Sequence, residues 1–396
     1  MDSDSVAIGS SGARPIGTWR DRWSGQPGGV VVLDLGDQPA SDYFPIPTAP
    51  TPDPCYPTRM VMSSVSGLLQ LEDDTTTPEE IMGVEPAAVV RQAEASVVDA
   101  KMAGFITEGA RVLSFASPHG GGWERQLSPY AVKWMSSGPA DLIIDVHGMM
   151  HAPDQKAAFL ERLGHLSPDG VLLMVIFDAT AIVRNGMWNA LRNGHYAYYT
   201  APVLVSMASE IGLVAVGAWT YPLYNNGTTM LAFARIGSRW GVQDASVTAL
   251  IAAEVAAGVL DADRVSALGT MHDDAVAKLR DYLDAARSAG LVVVGYGAAS
   301  RTVALLSSAA VTVNDVRCIA DASEAKHGRS MPVTRIPIVP PSGLMEQKPD
   351  RVLLFISDLL PEVRRAMPEV EASGAKWVIV DPVPIEVESD QATERA

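Results

Sequence analysis

The sequence predicts an α/β protein in which two doubly wound sheets follow a small β-rich module. The clearest signal is residues 291–306, where an apolar run meets Gly295, Tyr296 and Gly297 before a helical pattern begins at Ala298. Short apolar runs then alternate with helical stretches towards the end of the chain, as they also do in its middle. Residues 15–85 are instead rich in proline, tryptophan and turn signals.

Composition narrows the possible functions. The 396 residues are 47% hydrophobic and 19% charged, which suits two or three domains with sizeable cores. The net charge of -16 disfavours nucleic acids and anionic membranes as partners. Cys55 and Cys318 are too few and too far apart for a disulfide framework. No apolar run approaches the ~20 residues of a membrane span, and the polar start of the chain is no signal peptide, so we expect a cytoplasmic protein.

Composition shifts also predict the domain boundaries. We expect a disordered tail (1–14), an N-terminal module (15–85), a central domain (86–240), a helical linker (241–289) and a C-terminal domain (290–390). Three acids of the linker, Glu254, Asp261 and Asp263, fit a solvated helix face.

The C-terminal domain carries a candidate nucleotide site. A helix that opens after Gly295-Tyr296-Gly297 presents backbone N–H groups to a phosphate. Asp321 ends the next apolar run, near the ~20-residue spacing of a ribose-binding acid. Lys326 and Arg329 follow and suit phosphate charge. These residues are candidate substrate contacts, although a purely structural βα turn has the same pattern.

The same residues, with Ile336-Pro337-Ile338 and Lys348-Pro349-Asp350, resemble the C-terminal domain of the sugar C-methyltransferase family. The resemblance implies three parts: a zinc-binding N-terminal module, a central domain for S-adenosylmethionine (SAM) and a C-terminal Rossmann-like domain. It also implies methylation of a carbon in nucleotide-linked keto-sugars during antibiotic biosynthesis.

The zinc module of the family has lost its ligands here. Residues 19–23 (WRDRW) stand where the first CxxC pair belongs, and Ser63 and Ser66 stand at the second. A serine hydroxyl does not replace a thiolate on zinc. We therefore expect no zinc, and packing of Trp19 and Trp23 in its place.

The SAM turn is also altered. After a predicted strand at 111–116, the family's E-I-G-S-x-D-G type of run becomes a stretch with Ser114, Ala116 and His119 at the Glu, Gly and Asp positions. Only about twenty residues then precede the strand at 141–146, so one strand and the ribose-binding acid are predicted to be missing. We expect no cofactor; if SAM does bind, six residues are the candidate contacts, and the alternative is a bare loop. These are Ser117, His119, Gly120 and Gly121 in the turn, and Asp145 and His147 at the end of the next strand.

Residues 188–200 align with the family's catalytic Tyr-His-Glu-His cluster. His195 keeps the final histidine, whereas Arg192, Asn193 and Gly194 replace the other three. A neutral imidazole is a competent base, so we assign His195 as the base. Tyr198, His151 or Arg192 then acts as proton donor or anion stabiliser. Tyr196 and Asn226 are further candidate substrate contacts, although the tyrosines would look the same as core aromatics.

Three functional hypotheses follow. The first is an enzyme of specialised metabolism that no longer methylates and uses histidine for isomerisation, elimination or cyclisation. The second is a SAM-dependent C-methyltransferase of a nucleotide-linked keto-sugar or related natural product. The third is a non-catalytic partner of a paralogous methyltransferase. A small-molecule substrate fits the first two, and a homo-oligomer is compatible with all three.

Overall fold

The computed structural model describes residues 13–76, 83–118 and 120–388, and it contains three sheets. The predicted cofactor contact His119 and most of the predicted tail lie outside the described residues. No helix in the described ranges is long and apolar enough to cross a membrane.

The first sheet is antiparallel and belongs to the N-terminal module. Its first strand begins at Arg14, a residue that the sequence had assigned to the tail. Alternate apolar side chains such as Leu33 and Leu35 turn inward, as expected for a sheet with one solvated face. Its first four strands, in sheet order, are β1 (Arg14–Arg20), β2 (Pro27–Pro39), β3 (Cys55–Ser63) and β4 (Leu69–Leu71).

The second sheet forms the central domain. Its inner strands are near-continuous apolar runs because both faces are covered. The sheet order is β10-β11-β8-β7-β5-β6, with β11 antiparallel to both its neighbours and the other pairings parallel. The strands after β4 are β5 (Arg111–Ala116), β6 (Lys133–Trp134), β7 (Ala140–Val146), β8 (Leu166–Phe177), β9 (Ala197–Tyr198), β10 (Leu213–Tyr221) and β11 (Thr228–Arg235).

Strand β9 leaves the central domain and pairs with the first sheet. Tyr198 lies opposite Leu69, and Ala197 lies opposite Gln70. The stretch that carries the predicted catalytic cluster therefore completes the sheet of the N-terminal module.

The segment predicted to have lost a strand contains the two-residue β6. It runs parallel to β5 at Arg111 and Val112 and is followed by Met135 and Ser136. The strand is thus a short remnant, and no carboxylate follows it.

Helices cover the central sheet and connect it to the third. Their bounds are α1 (Ala87–Met102), α2 (Glu124–Leu127), α3 (Gln155–His165), α4 (Ala179–Asn185), α5 (Ala201–Glu210), α6 (Leu223–Asn226), α7 (Ala245–Ala256) and α8 (Ala262–Ser288). Glu254 on α7 is 3% exposed and accepts a hydrogen bond from the backbone N–H of Ala201. Burial and the neighbouring Asp178 raise its pKa to about 8, so the predicted solvated face is wrong at Glu254.

The third sheet forms the C-terminal domain, and its order is β14-β13-β12-β15-β16-β17. All pairings are parallel except that of β17. Its strands are β12 (Val293–Tyr296), β13 (Ile319–Ala320), β14 (Ile338–Val339), β15 (Arg351–Leu354), β16 (Lys376–Val380) and β17 (Pro384–Glu386), and its helices are α9 (Ser300–Ser308), α10 (Pro341–Leu344), α11 (Leu360–Ala366) and α12 (Glu369–Ala372). The α/β class with two doubly wound sheets and a β-rich start is confirmed.

The glycine turn of the C-terminal domain lies later than predicted. Strand β12 continues through Gly295 and Tyr296, and α9 begins at Ser300 rather than Ala298. A Cβ on Gly295 would lie 2.8 Å from the ring of Phe355, so this glycine permits close packing inside the sheet. Only Gly297, with φ +95°, occupies the left-handed region that a turn requires.

Candidate functional site

A cavity of about 360 Å³ lies between the central and C-terminal domains. One wall consists of the ends of β5 and β7 and the loop that contains His151. The loops after β12 and β13 form the other wall. Helix α1 and the start of α11 close its sides. The carboxyl ends of parallel strands are the usual ligand-binding edge of such sheets, and the volume suits a small molecule.

His151 is held in one tautomer at the cavity wall. It ends the short 3-10 turn Met149–His151 that follows β7. Its Nδ1 lies 2.9 Å from the carbonyl oxygen of Gly194 and must donate, because a carbonyl only accepts. Its Nε2 therefore carries the lone pair, and the Ser117 hydroxyl lies 3.3 Å from it. A lone pair directed to a hydroxyl is the arrangement of a general base.

His195 lies against His151, with ring centroids 4.6 Å apart in an edge-to-face contact. The guanidinium of Arg192 approaches His195 Nε2 through Nε at 2.9 Å and Nη2 at 2.6 Å. Because arginine can only donate, Nε2 accepts and His195 is neutral. Its lone pair is engaged by Arg192, which makes His151 the better placed base of the two.

Tyr198 stabilises the loop that carries Arg192 and His195, and it does not line the cavity. It is 1% exposed; its hydroxyl donates to the carbonyl of Ala190 and accepts from the N–H of Arg192, both at 3.1 Å. Burial raises the pKa of Tyr198. This placement counts against the predicted role of proton donor, because the hydroxyl has no path to a ligand.

Asp74 anchors the same loop from the N-terminal module. Its Oδ2 accepts the backbone N–H of Gly194 at 2.5 Å. The carbonyl of Gly194 is the group that accepts from His151 Nδ1. No sequence pattern predicted this hydrogen bond, because the two partners are 120 positions apart in the chain.

The glycine turn after β5 faces the cavity. Ser117 is buried, and Gly120 and Gly121 have φ of +93° and +90°. Nothing lies within 4 Å of a Cβ built on Gly120, so its wall is open to the cavity. These three predicted cofactor contacts are brought together in one place.

The other two predicted cofactor contacts differ. His147 lines the cavity with φ +57°. Asp145 is 1% exposed and does not line it. Its carboxylate accepts from Arg162 Nε at 2.7 Å and from the N–H groups of Gly148 and Met149. Asp145 therefore holds the chain after β7 in place and is not available to a ligand.

The residues present fit SAM poorly. A working site pairs its glycine turn with carboxylates for the ribose and the amino group. Here the turn is present, but Asp145 is engaged by Arg162 and no acid follows β6. No step of a reaction is therefore assigned to SAM.

The loop of the C-terminal domain is filled by the protein's own charges. Asp321 Oδ2 accepts the backbone N–H of Ala298 at 2.8 Å, and Lys326 Nζ donates to the Ala298 carbonyl at 2.8 Å. Asp42 accepts from the Ser300 hydroxyl at 2.6 Å, where α9 begins. Tyr296, Gly297, Asp321 and Lys326 all line the cavity, as predicted substrate contacts should. However, the carboxylates occupy the groups that a phosphate would use.

Four predicted substrate contacts lie away from the cavity. Gly295 is inside the sheet. Arg329 donates to the Phe44 carbonyl at 2.9 Å, Tyr196 packs under the guanidinium of Arg22, and Asn226 is exposed. For these residues the structure gives packing or capping roles and does not support substrate contact.

Sequence reasoning did not identify several polar residues of the cavity, among them Tyr224, Arg301, Asp358 and Glu362. Arg301 lies 5.1 Å from the centroid of the Tyr224 ring, and Asp358 accepts the N–H of Tyr224 at 3.0 Å. Glu362 accepts the N–H of Ala87 at the start of α1, at 3.2 Å. Only tertiary packing brings these distant segments together.

Within the described ranges, no group of three or more His, Cys, Asp or Glu side chains is arranged to hold a metal ion. In the first CxxC position, Asp21 is 1% exposed and accepts from the N–H of Trp23, from Ser24 and from Gln70. Trp23 is buried against Phe159, which confirms the expected packing at this residue.

Together, the sheets and the cavity define an α/β protein in which strand ends of two doubly wound sheets face one cavity. Residues 225–384 match the family model of the C-methyltransferase C-terminal domain. The C-methyltransferase NovU of Streptomyces niveus is 23% identical over 247 residues, which cover 62% of this chain and 58% of that protein. The chain thus spans less than two thirds of that relative's length. The predicted resemblance is confirmed: the chain is similar to C-methyltransferases, and the family match lies in its C-terminal part.

Solved methyltransferases show weaker similarity. A sarcosine dimethylglycine methyltransferase from Galdieria sulphuraria is 15% identical and covers 39% of this chain and 93% of its own, with a TM-score of 0.28. The magnesium protoporphyrin IX methyltransferase of Synechocystis PCC 6803, solved with bound SAH, is 8% identical and covers 37% and 82%, also with a TM-score of 0.28. Scores this low carry no argument about function.

Proposed function

We propose that this protein is a small-molecule enzyme that uses histidine to move protons on a C-methyltransferase scaffold. The observation that carries the proposal is the contact of His151 and His195 on the cavity, with Arg192 bonded to His195. This set supplies a base, a neutral imidazole and a fixed cation without any cofactor.

In the proposed step, His151 Nε2 takes a proton from a carbon next to a carbonyl of the substrate. The electron pair of the broken C–H bond forms an enolate, and the Arg192 guanidinium stabilises its oxygen. Return of the proton from the His151 imidazolium to another carbon completes an isomerisation. Departure of a leaving group or closure of a ring gives elimination or cyclisation instead. His195 holds Arg192 in place, and His151, not His195, acts as the base.

The test is deuterium exchange from D₂O into a panel of keto-sugars, followed by mass spectrometry without SAM. We expect exchange that falls about 10²–10⁴-fold in His151→Ala, the usual contribution of a general base. His165→Ala is the matched control, because His165 does not line the cavity. Equal exchange in the wild type and His151→Ala would contradict the proposal.

A second candidate function is SAM-dependent C-methylation. It is favoured by one observation, the glycine turn that lines the cavity, with no described atom within 4 Å of a Cβ built on Gly120. Calorimetric titration with SAM and S-adenosylhomocysteine separates the two. Micromolar binding, followed by methylation of a keto-sugar, would favour this candidate over cofactor-free proton transfer.

A further inference from the structure

The charges around the cavity bear on the substrate. Five carboxylates line it, against three cations. The cations are Arg192, Arg301 and Lys326, and the carboxylates are Asp42, Glu85, Asp321, Asp358 and Glu362. Arg192 is engaged with His195, and Lys326 with Asp321. A diphosphate would add two negative charges to a wall that already has an excess of them.

The sites that a phosphate needs are also taken. The Ala298 amide and the Lys326 ammonium both contact Asp321, and Asp42 lies where α9 begins. A phosphate at this loop would have to displace two carboxylates of the chain itself. The nucleotide-binding pattern in the sequence therefore becomes a self-capped turn in the fold.

The other carboxylates of the cavity wall favour a cation, not an anion. Within the described ranges, Asp42, Glu85, Asp358 and Glu362 form no ion pair with Lys or Arg at salt-bridge distance. Asp358 and Glu362 each use an oxygen to accept a backbone N–H, from Tyr224 and Ala87 respectively. Both carboxylates are thereby fixed at the cavity wall, and each keeps further lone pairs for a donor. Burial raises the pKa of Asp358, and the charge of Arg301 opposes that rise, so a bound ammonium group would favour the ionised form further.

We infer that the cavity takes a small molecule that carries a protonated amine, and not a nucleotide diphosphate. The inference rests on the proposed function, since it names the substrate class of the same cavity. The ammonium group contacts Asp358 and Glu362, and the buried face of Tyr296 adds a second favourable contact for a cation. The carbonyl of the substrate then lies towards Arg192 and His151. An amino keto-sugar has both groups on one small ring, and an amino sugar such as glucosamine supplies the amine alone.

The test is binding of four sugar probes of one ring size, followed by ligand-observed NMR on the full chain. The probes are glucosamine, glucose, glucose 1-phosphate and uridine diphosphate glucose. We expect glucosamine to bind about tenfold more tightly than glucose, and both phosphate probes to bind more weakly than glucose. Raised salt should weaken glucosamine alone.

Two variants localise the effect. The double variant Asp358→Asn/Glu362→Gln keeps the acceptor oxygens for Tyr224 and Ala87, so the fold should survive. It should reduce glucosamine affinity about tenfold and leave glucose unchanged. Glu369→Gln is the control, because Glu369 is exposed on α12 and does not line the cavity. Tightest binding by uridine diphosphate glucose, absence of glucosamine binding, or an unchanged double variant would each overturn the inference.

The two proposals fail separately. Ligand-observed NMR reads the substrate class without turnover, whereas deuterium exchange reads the base. Absence of deuterium exchange in the wild type, with an intact glucosamine preference, would overturn the proposed reaction alone. Exchange on neutral keto-sugars with no preference for the amine would overturn the substrate class alone.

Discussion

The N-terminal module and the glycine turn after β5 both lack residues that the resemblance to the sugar C-methyltransferase family implies, but the two regions differ in what stands at those positions. In the module, the first CxxC position now holds Asp21, which accepts from Trp23, Ser24 and Gln70. At the second, the Ser63 hydroxyl accepts the N–H groups of Val65 and Ser66, each at 3.1 Å. At the glycine turn, no atom of the described residues lies within 4 Å of a Cβ built on Gly120.

The difference separates structural from functional ligands. A metal that holds a module together must be replaced by other contacts, because the fold depends on it. A ligand that serves a reaction can disappear once the reaction no longer needs it. In the module, hydrogen bonds to Asp21 and Ser63 occupy the two positions, whereas the glycine turn keeps open space beside Gly120 among the described residues. Four predictions test this comparison.

The largest expected effect is at Asp21. Asp21→Ala leaves four donor groups, on Trp23, Ser24 and Gln70, without their acceptor beside a buried position, which should lower the free energy of unfolding by about 3 kcal/mol. Asp34→Ala is the control, since Asp34 forms only partly exposed ion pairs with Arg14 and Arg59 and should change stability by less than about 1 kcal/mol. Urea denaturation of both variants measures the difference. Equal stabilities would break the comparison.

Acid should act on the same residue. Burial raises the pKa of Asp21, but the donors from Trp23, Ser24 and Gln70 outweigh it, so the pKa lies below its ordinary value. Its contribution to stability is therefore present above about pH 4 and is lost as the pH falls through the folded-state pKa. Asp21→Asn should flatten the acid limb of melting temperature against pH.

The second largest effect is expected at Asp74, which links the N-terminal module to the loop that carries Gly194. Asp74→Asn removes the charge that holds the Gly194 amide, and Gly194 in turn fixes His151. We expect deuterium exchange to fall about tenfold and its pH profile to move. Asp73→Asn is the neighbouring control. A loss of stability with an unmoved pH profile would reduce Asp74 to a structural residue.

The smallest effect is expected at Gly120. Gly120→Ala meets no atom within 4 Å, so only its left-handed φ of +93° should cost stability, about 1 kcal/mol. Exchange should stay within a few-fold of the wild type. Gly148→Ala is the contrast, because its Cβ would lie 2.5 Å from the Phe115 carbonyl. Abolished activity in Gly120→Ala alone would show that the turn still serves a ligand.

The sequence predicted much of the fold and part of the site. Apolar runs placed most strands of both doubly wound sheets, because buried parallel strands leave a strong local signal. His151, His195 and Arg192 were all candidates, and the structure brings them together. What the sequence could not show was which acids are already engaged. Asp145 and Asp321 look alike at strand ends, yet Arg162 engages one and the Ala298 amide the other.

The cavity acids Asp42, Asp358 and Glu362 were also beyond sequence reasoning. Their segments are far apart in the chain, and only docking of the domains brings them to one wall. The role of Tyr198 likewise depends on a hydroxyl that turns inward to the backbone at Ala190.

The pairing of β9 with β4 also has a consequence for the order of events during synthesis. Tyr198 must be synthesised before it can pair with Leu69, so the first sheet gains its last strand late. At typical elongation rates, this wait lasts roughly 6–26 s on the ribosome. During that time the edge of β4 is open to other strands, so we expect a nascent-chain chaperone to raise the yield of folded protein.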